Sequence, residues 1–401
     1  MKKIAKLSLV AAVAVAGLTS ANAQPLEEAI KNVDVSGSVV YRYNDYGNDY
    51  NANTSSDDYS QNNYKVALNL SSKVNEDVKF NSRFIVGGAD SGFAKLDSSV
   101  NGDQNVDVTL SHAYFGYTGL PNTTVNVGKQ GLTTPWTVAI DSDGNEQTGT
   151  GILALSTVGP VTLAAAYFNQ TNLDDSGDAK SVFDNGLAPT VITNEGDQDI
   201  ATVGAILTLG PVTADAWYID AQELFDSYTI GAKASFDVEG IKLGADARYA
   251  SLDTDAGTND NAMAKLVLTA DAGLVDGKIA YAMTDKEGGL TALDNDATTT
   301  LLGWNLTSND KIDADYWQAV LGFDILSNLN LSANYGNLQY IPSVGSAVDM
   351  EEEEIYAQLL YKMSKNFSTY VRYGTYTKEN KSTNVKSIDD TAGRLQVEYT
   401  F

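Results

Sequence analysis

Gly393-Arg394-Leu395-Gln396-Val397-Glu398-Tyr399-Thr400-Phe401 alternates polar and apolar residues without a break and stops on an aromatic ring. Successive side chains of a strand point to opposite faces, so Leu395, Val397, Tyr399 and Phe401 share one face. Arg394, Gln396, Glu398 and Thr400 share the other. One apolar and one polar face is what a strand between hydrocarbon and water requires. A soluble edge strand can carry the same pattern, so the rest of the chain has to decide.

The opposite end points to export. Met1-Lys2-Lys3 with Lys6 is a positive start, Leu7 to Leu18 is apolar, and Ala21-Asn22-Ala23 is a small-x-small cleavage site. Residues 1–23 therefore read as a signal peptide, with a mature exported domain over 24–401 that begins at Gln24. As a membrane anchor the run is short and lacks a stop-transfer cluster.

Composition narrows the destination. Cysteine is absent, which removes thiol chemistry and disulfides. Outside the leader no run of eighteen apolar residues occurs, so no helix of the mature chain is expected to span a membrane. The 34 Gly, 22 Tyr and many short alternating segments suit an all-β transmembrane barrel. The net charge of −26 becomes −29 once Lys2, Lys3 and Lys6 are removed with the leader. Such a chain repels nucleic acid and favours cations, divalent ions between acidic loops, or plain solvation.

Eighteen period-2 segments follow one another. They open with Val33 to Tyr43, Tyr64 to Leu70, Val78 to Val86, Val106 to Tyr117 and Val125 to Lys129. After a loop at Gly131 to Gly151, Gly159-Pro160 and Gly210-Pro211 turn two hairpins that look alike. The longest irregular stretch, Thr284 to Ala314, has room for a hairpin at Leu301 to Leu306. Trp317 to Phe323, Leu329 to Tyr335, Ile355 to Tyr361, Phe367 to Tyr373 and the closing strand complete an even set. Long connections alternate with short turns, as in an antiparallel outer-membrane β-barrel with both termini on the periplasmic side. Eighteen strands enclose enough width for a water-filled channel, and no plug domain precedes the first strand. Tyrosines such as Tyr41, Tyr167, Tyr218, Tyr335 and Tyr399 sit at the ends of the apolar stripes, where a belt at the membrane interface belongs.

The five arginines, Arg42, Arg83, Arg248, Arg372 and Arg394, all fall on the inward parity of their strands. Lipid-facing charge costs about 2–4 kcal/mol at the bilayer midplane, so inward placement follows from any barrel. Their distribution says more. Arg42, Arg83, Arg372 and Arg394 lie on the first, third, last-but-one and last strands, which closure brings together into one basic wall of the lumen. The third long loop carries Trp136, Asp141, Asp143 and Glu146. Folded inward it would oppose carboxylates to guanidinium groups across a constriction. Left outside, its acids would merely be solvated.

Gln24-Pro25-Leu26-Glu27-Glu28-Ala29-Ile30 running into Val33-Asp34-Val35-Ser36-Gly37 forms one motif, and Val127-Gly128-Lys129-Gln130 with Leu132-Thr133-Thr134-Pro135-Trp136-Thr137 and Ala139-Ile140-Asp141 forms a second. Both resemble the major outer membrane protein porins of Campylobacter and its relatives. The resemblance implies an eighteen-stranded trimeric porin whose third loop folds inward, with general diffusion of small hydrophilic solutes and a preference for cations. It also implies a calcium ion held by acidic residues in the pore. Asp141 is the residue carried over, and Asp174, Asp175 and Asp178 of the fourth loop are candidates for a second ligand. Ca²⁺ takes six to eight oxygens, which acidic loops supply, although no EF-hand spacing is present.

Other constellations carry less. His112 is the only histidine, which removes a histidine-cluster metal site and disfavours a Ser-His-Asp centre. Gly128-Lys129 is followed by Gln130 rather than Ser or Thr, so it is no phosphate loop. The run Glu351 to Glu354 reads as a solvated outer rim facing lipopolysaccharide. The expected function is a passive outer-membrane pore without catalytic residues. A substrate-specific channel and a surface adhesin or structural link are the rivals.

Overall fold

A strand with one apolar and one polar face still leaves a row of unpaired N–H and C=O groups at the sheet edge, unless the sheet closes on itself. Here it closes. The computed structural model describes residues 33–48, 58–96, 106–182, 195–255 and 260–401. The signal peptide read at residues 1–23 lies outside them. β1 (Val33–Asn48) pairs antiparallel with β2 (Tyr59–Lys73) on one side and with the last strand, β19 (Val385–Thr400), on the other. The series continues through β3 (Val78–Gly87), β4 (Ala94–Leu96), β5 (Asp107–Leu120), β6 (Thr123–Gly131), β7 (Thr148–Val158), β8 (Val161–Thr171), β9 (Ile200–Leu209) and β10 (Val212–Ala221). Then come β11 (Phe225–Val238), β12 (Ile241–Thr254), β13 (Asp260–Asp271), β14 (Val275–Thr284), β15 (Ile312–Leu326), β16 (Leu329–Ile341), β17 (Met350–Lys362) and β18 (Phe367–Asn380).

The wall is eighteen strands plus one short extra. β3 pairs with Val66–Lys73 of β2 and passes the sheet on to β5, while the three residues of β4 cover Asn62–Tyr64 of the same strand. Three residues are too few for alternation to show in sequence. At the seam Tyr41 stands opposite Val397 and Arg42 opposite Gln396, and the Gly37 and Phe401 backbones exchange hydrogen bonds at 2.9 and 3.1 Å.

The connections at one end of the barrel are all turns of two to four residues, while the other end carries the longer loops together with two short ones, 222–224 and 381–384. Gly159 and Gly210 open two of the tight turns at φ +59 and +56, with nothing near an added Cβ. The left-handed backbone, not lack of space, demands glycine there. The outer surface is apolar throughout, with Leu110, Phe115, Leu163, Ile230, Leu321 and Val371 all exposed. So much continuous apolar surface is stable only against hydrocarbon. Tyrosine rings mark its loop-side border: Tyr167, Tyr218 and Tyr335 donate their hydroxyls to Asp199, Asp226 and Glu353 at 2.8, 2.5 and 2.8 Å.

The buried apolar core lies inside the barrel, between its wall and two inward-folded loops. Leu132, Trp136, Phe168, Ile219, Phe225 and Leu293 form one cluster. Leu301, Leu306, Tyr316, Leu338 and Tyr340 form a second.

Candidate pore constriction

Loop 132–147, between β6 and β7, enters the barrel because both of its ends are better buried than solvated. At its start Leu132 and Trp136 fill the first core cluster, and Trp136 donates its indole N–H to Ser227 Oγ at 2.7 Å. At its end Glu146 is wholly buried, 2.6 Å from Lys65 Nζ and 2.8 Å from Arg83 Nη2, and accepts a further short hydrogen bond from Ser111. Burial acts to raise this carboxyl, but the hydrogen bonds and charges of Arg83 and Lys65 outweigh it and hold the group below its ordinary value. Removing Glu146 would leave two buried cations without a counter-charge, whereas loss of either cation would leave the other paired with it.

Between these anchors Asp141 accepts hydrogen bonds from the Asn145 backbone at 2.8 Å and its side chain at 2.7 Å, which folds the loop into a tight tip. The tip reaches the far wall. Arg42 of β1 donates to Ser142 O at 2.9 Å and pairs with Asp143 at 3.2 Å, and Arg394 of β19 approaches Asp143 at 3.6 Å.

Loop 285–311, between β14 and β15, also folds inward, where an irregular stretch was expected. Leu293 N donates to Trp136 O at 2.9 Å, Ser142 N donates to Asp296 at 2.8 Å, and Gln147 donates to Asp294 at 2.5 Å, so the two loops form one unit. Its far end is held by Glu354 of β17, which accepts the backbone N–H of Trp304 at 2.9 Å and of Asn305 at 2.7 Å. The hairpin expected at Leu301 to Leu306 is not part of the wall. A single bridge joins Leu302 to Thr307, and Leu301 and Leu306 are buried against the inner face of β14 to β16. Apolar residues that would suit lipid are used here to seat a loop.

The loops and the wall leave a cavity of about 480 Å³ at mid-lumen. Its border holds five cations, Arg42, Arg372, Arg394, Lys233 and Lys265, and three carboxylates, Asp143, Asp246 and Asp296. Asp143 has a 66% exposed side chain there. Of the loop residues singled out in sequence, Asp143 alone lines this cavity; Trp136 and Glu146 are buried anchors, and Asp141 shapes the tip. Of the basic wall, Arg42, Arg372 and Arg394 reach the cavity, whereas Arg83 lies beneath the loop with Glu146. Arg248 sits apart from that wall, paired with Asp215 at 2.7 Å.

Only half of the run Glu351 to Glu354 fits a solvated rim, since Glu351 and Glu353 keep the outward parity while Glu352 and Glu354 do not. Glu352 and Glu354 are 3% and 2% exposed and point inward, and Glu352 accepts hydrogen bonds from Tyr340 at 2.6 Å and Tyr376 at 2.9 Å. Ile355, Ala357 and Leu359 define the outward parity of β17, and carrying that parity back two steps would have assigned both glutamates to the lumen. Trp304 and Asp296 lie in an aperiodic loop and carried no comparable signal.

Behind the tip, Asp141, Asp178 and Asp294 bring one carboxylate oxygen each within 4.8 Å of one another. Asp178 belongs to the short helix α1 (Gly177–Val182) of the fourth loop; neither Asp174 nor Asp175 joins the group, and Asp294 comes from loop 285–311. Burial, with the charges of Asp178 and Asp143, pushes Asp141 up to about 6 against the hydrogen bonds from Asn145. Burial and the same crowding of acids push Asp294 up to about 8. Among the described residues no Lys or Arg forms an ion pair with the trio.

Solved structures of similar shape are outer-membrane channels of Pseudomonas aeruginosa. OpdL superposes with a TM-score of 0.71 at 20% identity, over 92% of this chain and 99% of that one. OccK5 (OpdH) gives 0.67 at 19%, over 92% and 98%. OccK2 (OpdF) in complex with glucuronate gives 0.70 at 15%, again over 92% and 98%. No curated protein matches the sequence. The model of the Campylobacter major outer membrane protein matches residues 1–401, so this chain, with its closed barrel and its charged mid-lumen cavity, belongs to that family of outer-membrane porins.

Proposed function

We propose that the pore is passive, that small hydrophilic solutes and ions cross it by diffusion, and that loops 132–147 and 285–311 set its narrowest section. The observation that carries this reading is the charged cavity left between two inward loops and a basic wall. Asp143 and Asp296 on the loop side against Arg42, Arg372 and Arg394 on the wall create a transverse field, which sorts solutes by charge and size. A net charge of −29 on the chain without its leader, 23 basic against 52 acidic residues, concentrates cations at the mouths and gives the pore a cation preference. Planar-bilayer recording tests this: stepwise conductance with a cation-signed reversal potential in a salt gradient is expected, and purified protein that opens no channels would favour the adhesin reading.

Calcium fits the carboxylate trio. Oxygens within 4.8 Å of one another can share one hard cation, and two buried acids with a half-buried third, unpaired with any Lys or Arg of the described residues, call for positive charge. Asp141, Asp178 and Asp294 would hold the ion, and when bound it would neutralise them and cross-link the third, fourth and seventh loops. The barrels are proposed to assemble as homotrimers, with their outer faces in lipid and lipopolysaccharide; cross-linking in native membranes reads the subunit number.

A further inference from the structure

We propose that the mid-lumen cavity is a binding subsite for a small zwitterionic solute of the free amino acid class, taking its carboxylate on Arg372 and Arg394 and its ammonium group at Asp143 and Asp296. This rests on the reading of the lumen as a diffusion path and adds a saturable step to it.

Arg372 is the best-prepared of the cavity's cations. Its Nε and Nη2 both donate to Gln358 Oε1, at 2.9 and 2.8 Å. Its guanidinium carbon stands 4.9, 5.0 and 5.3 Å from the ring centres of Trp304, Tyr356 and Tyr370. Three rings and an amide fix the group in place, which lowers the entropy lost when it takes a ligand. Among the described residues no carboxylate pairs with it, and its Nη1 makes no hydrogen bond.

Arg394 approaches the same indole, 5.8 Å from its centre, with Nε held by Asn44 at 2.7 Å. Two like charges on one ring repel each other, and an anion between them relieves that repulsion. Arg42, by contrast, is already satisfied by Ser142 O, Asp143 and Gln396.

The loop side offers the complementary charge. Asp143 is exposed and uses Oδ1 alone toward the wall, and Asp296 uses Oδ2 for the Ser142 N–H, so each keeps one oxygen without a partner among the described residues. A simple anion would meet these carboxylates, and a simple cation would meet three guanidinium groups. A solute bearing both charges satisfies both sides at once. The cavity, about 480 Å³, lies within the usual range of small-molecule sites.

The experiment is current block of reconstituted channels by L-phenylalanine, beside 3-phenylpropionate, which lacks the ammonium group, and phenethylamine, which lacks the carboxylate. Saturable block by the amino acid is expected, with each half-ligand needing at least about tenfold more. Arg372→Gln should raise the half-blocking concentration about tenfold; if that variant forms no channels, Arg394→Gln is read in the same way. Block that never saturates, equal potency of 3-phenylpropionate, or unchanged block in both variants would overturn the subsite while leaving the pore intact. Absence of any channel in the unmodified protein would instead overturn the porin function itself.

Discussion

Loop 132–147 and loop 285–311 both enter the barrel, but they are held there in opposite electrical senses. The first brings a carboxylate, Glu146, to cations of the wall, Lys65 and Arg83. The second brings bare backbone N–H groups, at Trp304 and Asn305, to a carboxylate of the wall, Glu354. A loop that carries its own charge anchors by ion pairing and leaves that charge in the sequence. A loop that anchors through its backbone leaves almost nothing there.

The comparison breaks most visibly at Glu146. Glu146→Ala leaves Lys65 and Arg83 buried without a counter-charge, and a loss of about 3–5 kcal/mol is expected. Loop 132–147 would lose its anchor at one end. The folded barrel should then melt at lower temperature in a heat-modifiability gel, and single channels should become larger and noisier.

Glu354→Ala tests the other sense of anchoring. Two N–H groups lose a charged acceptor, which is expected to cost about 1.5–3 kcal/mol. The damage should stay local, because Leu301 and Leu306 still pack against Tyr316 and Leu338. Increased current noise with nearly unchanged ion selectivity is the expected signature. A selectivity change as large as that of a cavity-lining variant would show that the Glu354 contact also positions Asp296 at the cavity border.

Calcium held as proposed by Asp141, Asp178 and Asp294 would join the two loops, so chelation should loosen both at once. At a free Ca²⁺ concentration tenfold above its dissociation constant the ion would stabilise the folded state by about 1.4 kcal/mol. Melting with and without chelator measures this, and Asp294→Asn should erase the difference. A difference that persists in that variant would move the ion elsewhere.

The barrel itself was legible because alternation is a local rule repeated eighteen times: each strand states its own inward and outward faces. Wall arginines such as Arg42 and Arg394 followed from parity plus closure. Glu352 and Glu354 were within reach of the same parity, yet four consecutive acids read more readily as a surface feature. Trp304 and Asp296 were beyond reach, since no period governs loop 285–311 and its partners lie tens of residues away. The carboxylate trio was legible only in part, because Asp141, Asp178 and Asp294 come from three loops whose meeting depends on the interior fold.

Asp143 gives the smallest effect on stability and the sharpest on function. Its side chain is largely exposed, and its contacts with Arg42 and Arg394 at 3.2 and 3.6 Å lie in the solvated cavity, where ion pairs contribute little to folding. Asp143→Asn should therefore leave the melting temperature within error. It would unmask two guanidinium groups at the cavity border, so the reversal potential in a salt gradient should shift toward anions. Asp141→Asn, which alters a residue that does not line the cavity, should shift it far less. Equal shifts in the two variants would mean that overall charge, rather than the cavity border, sets selectivity.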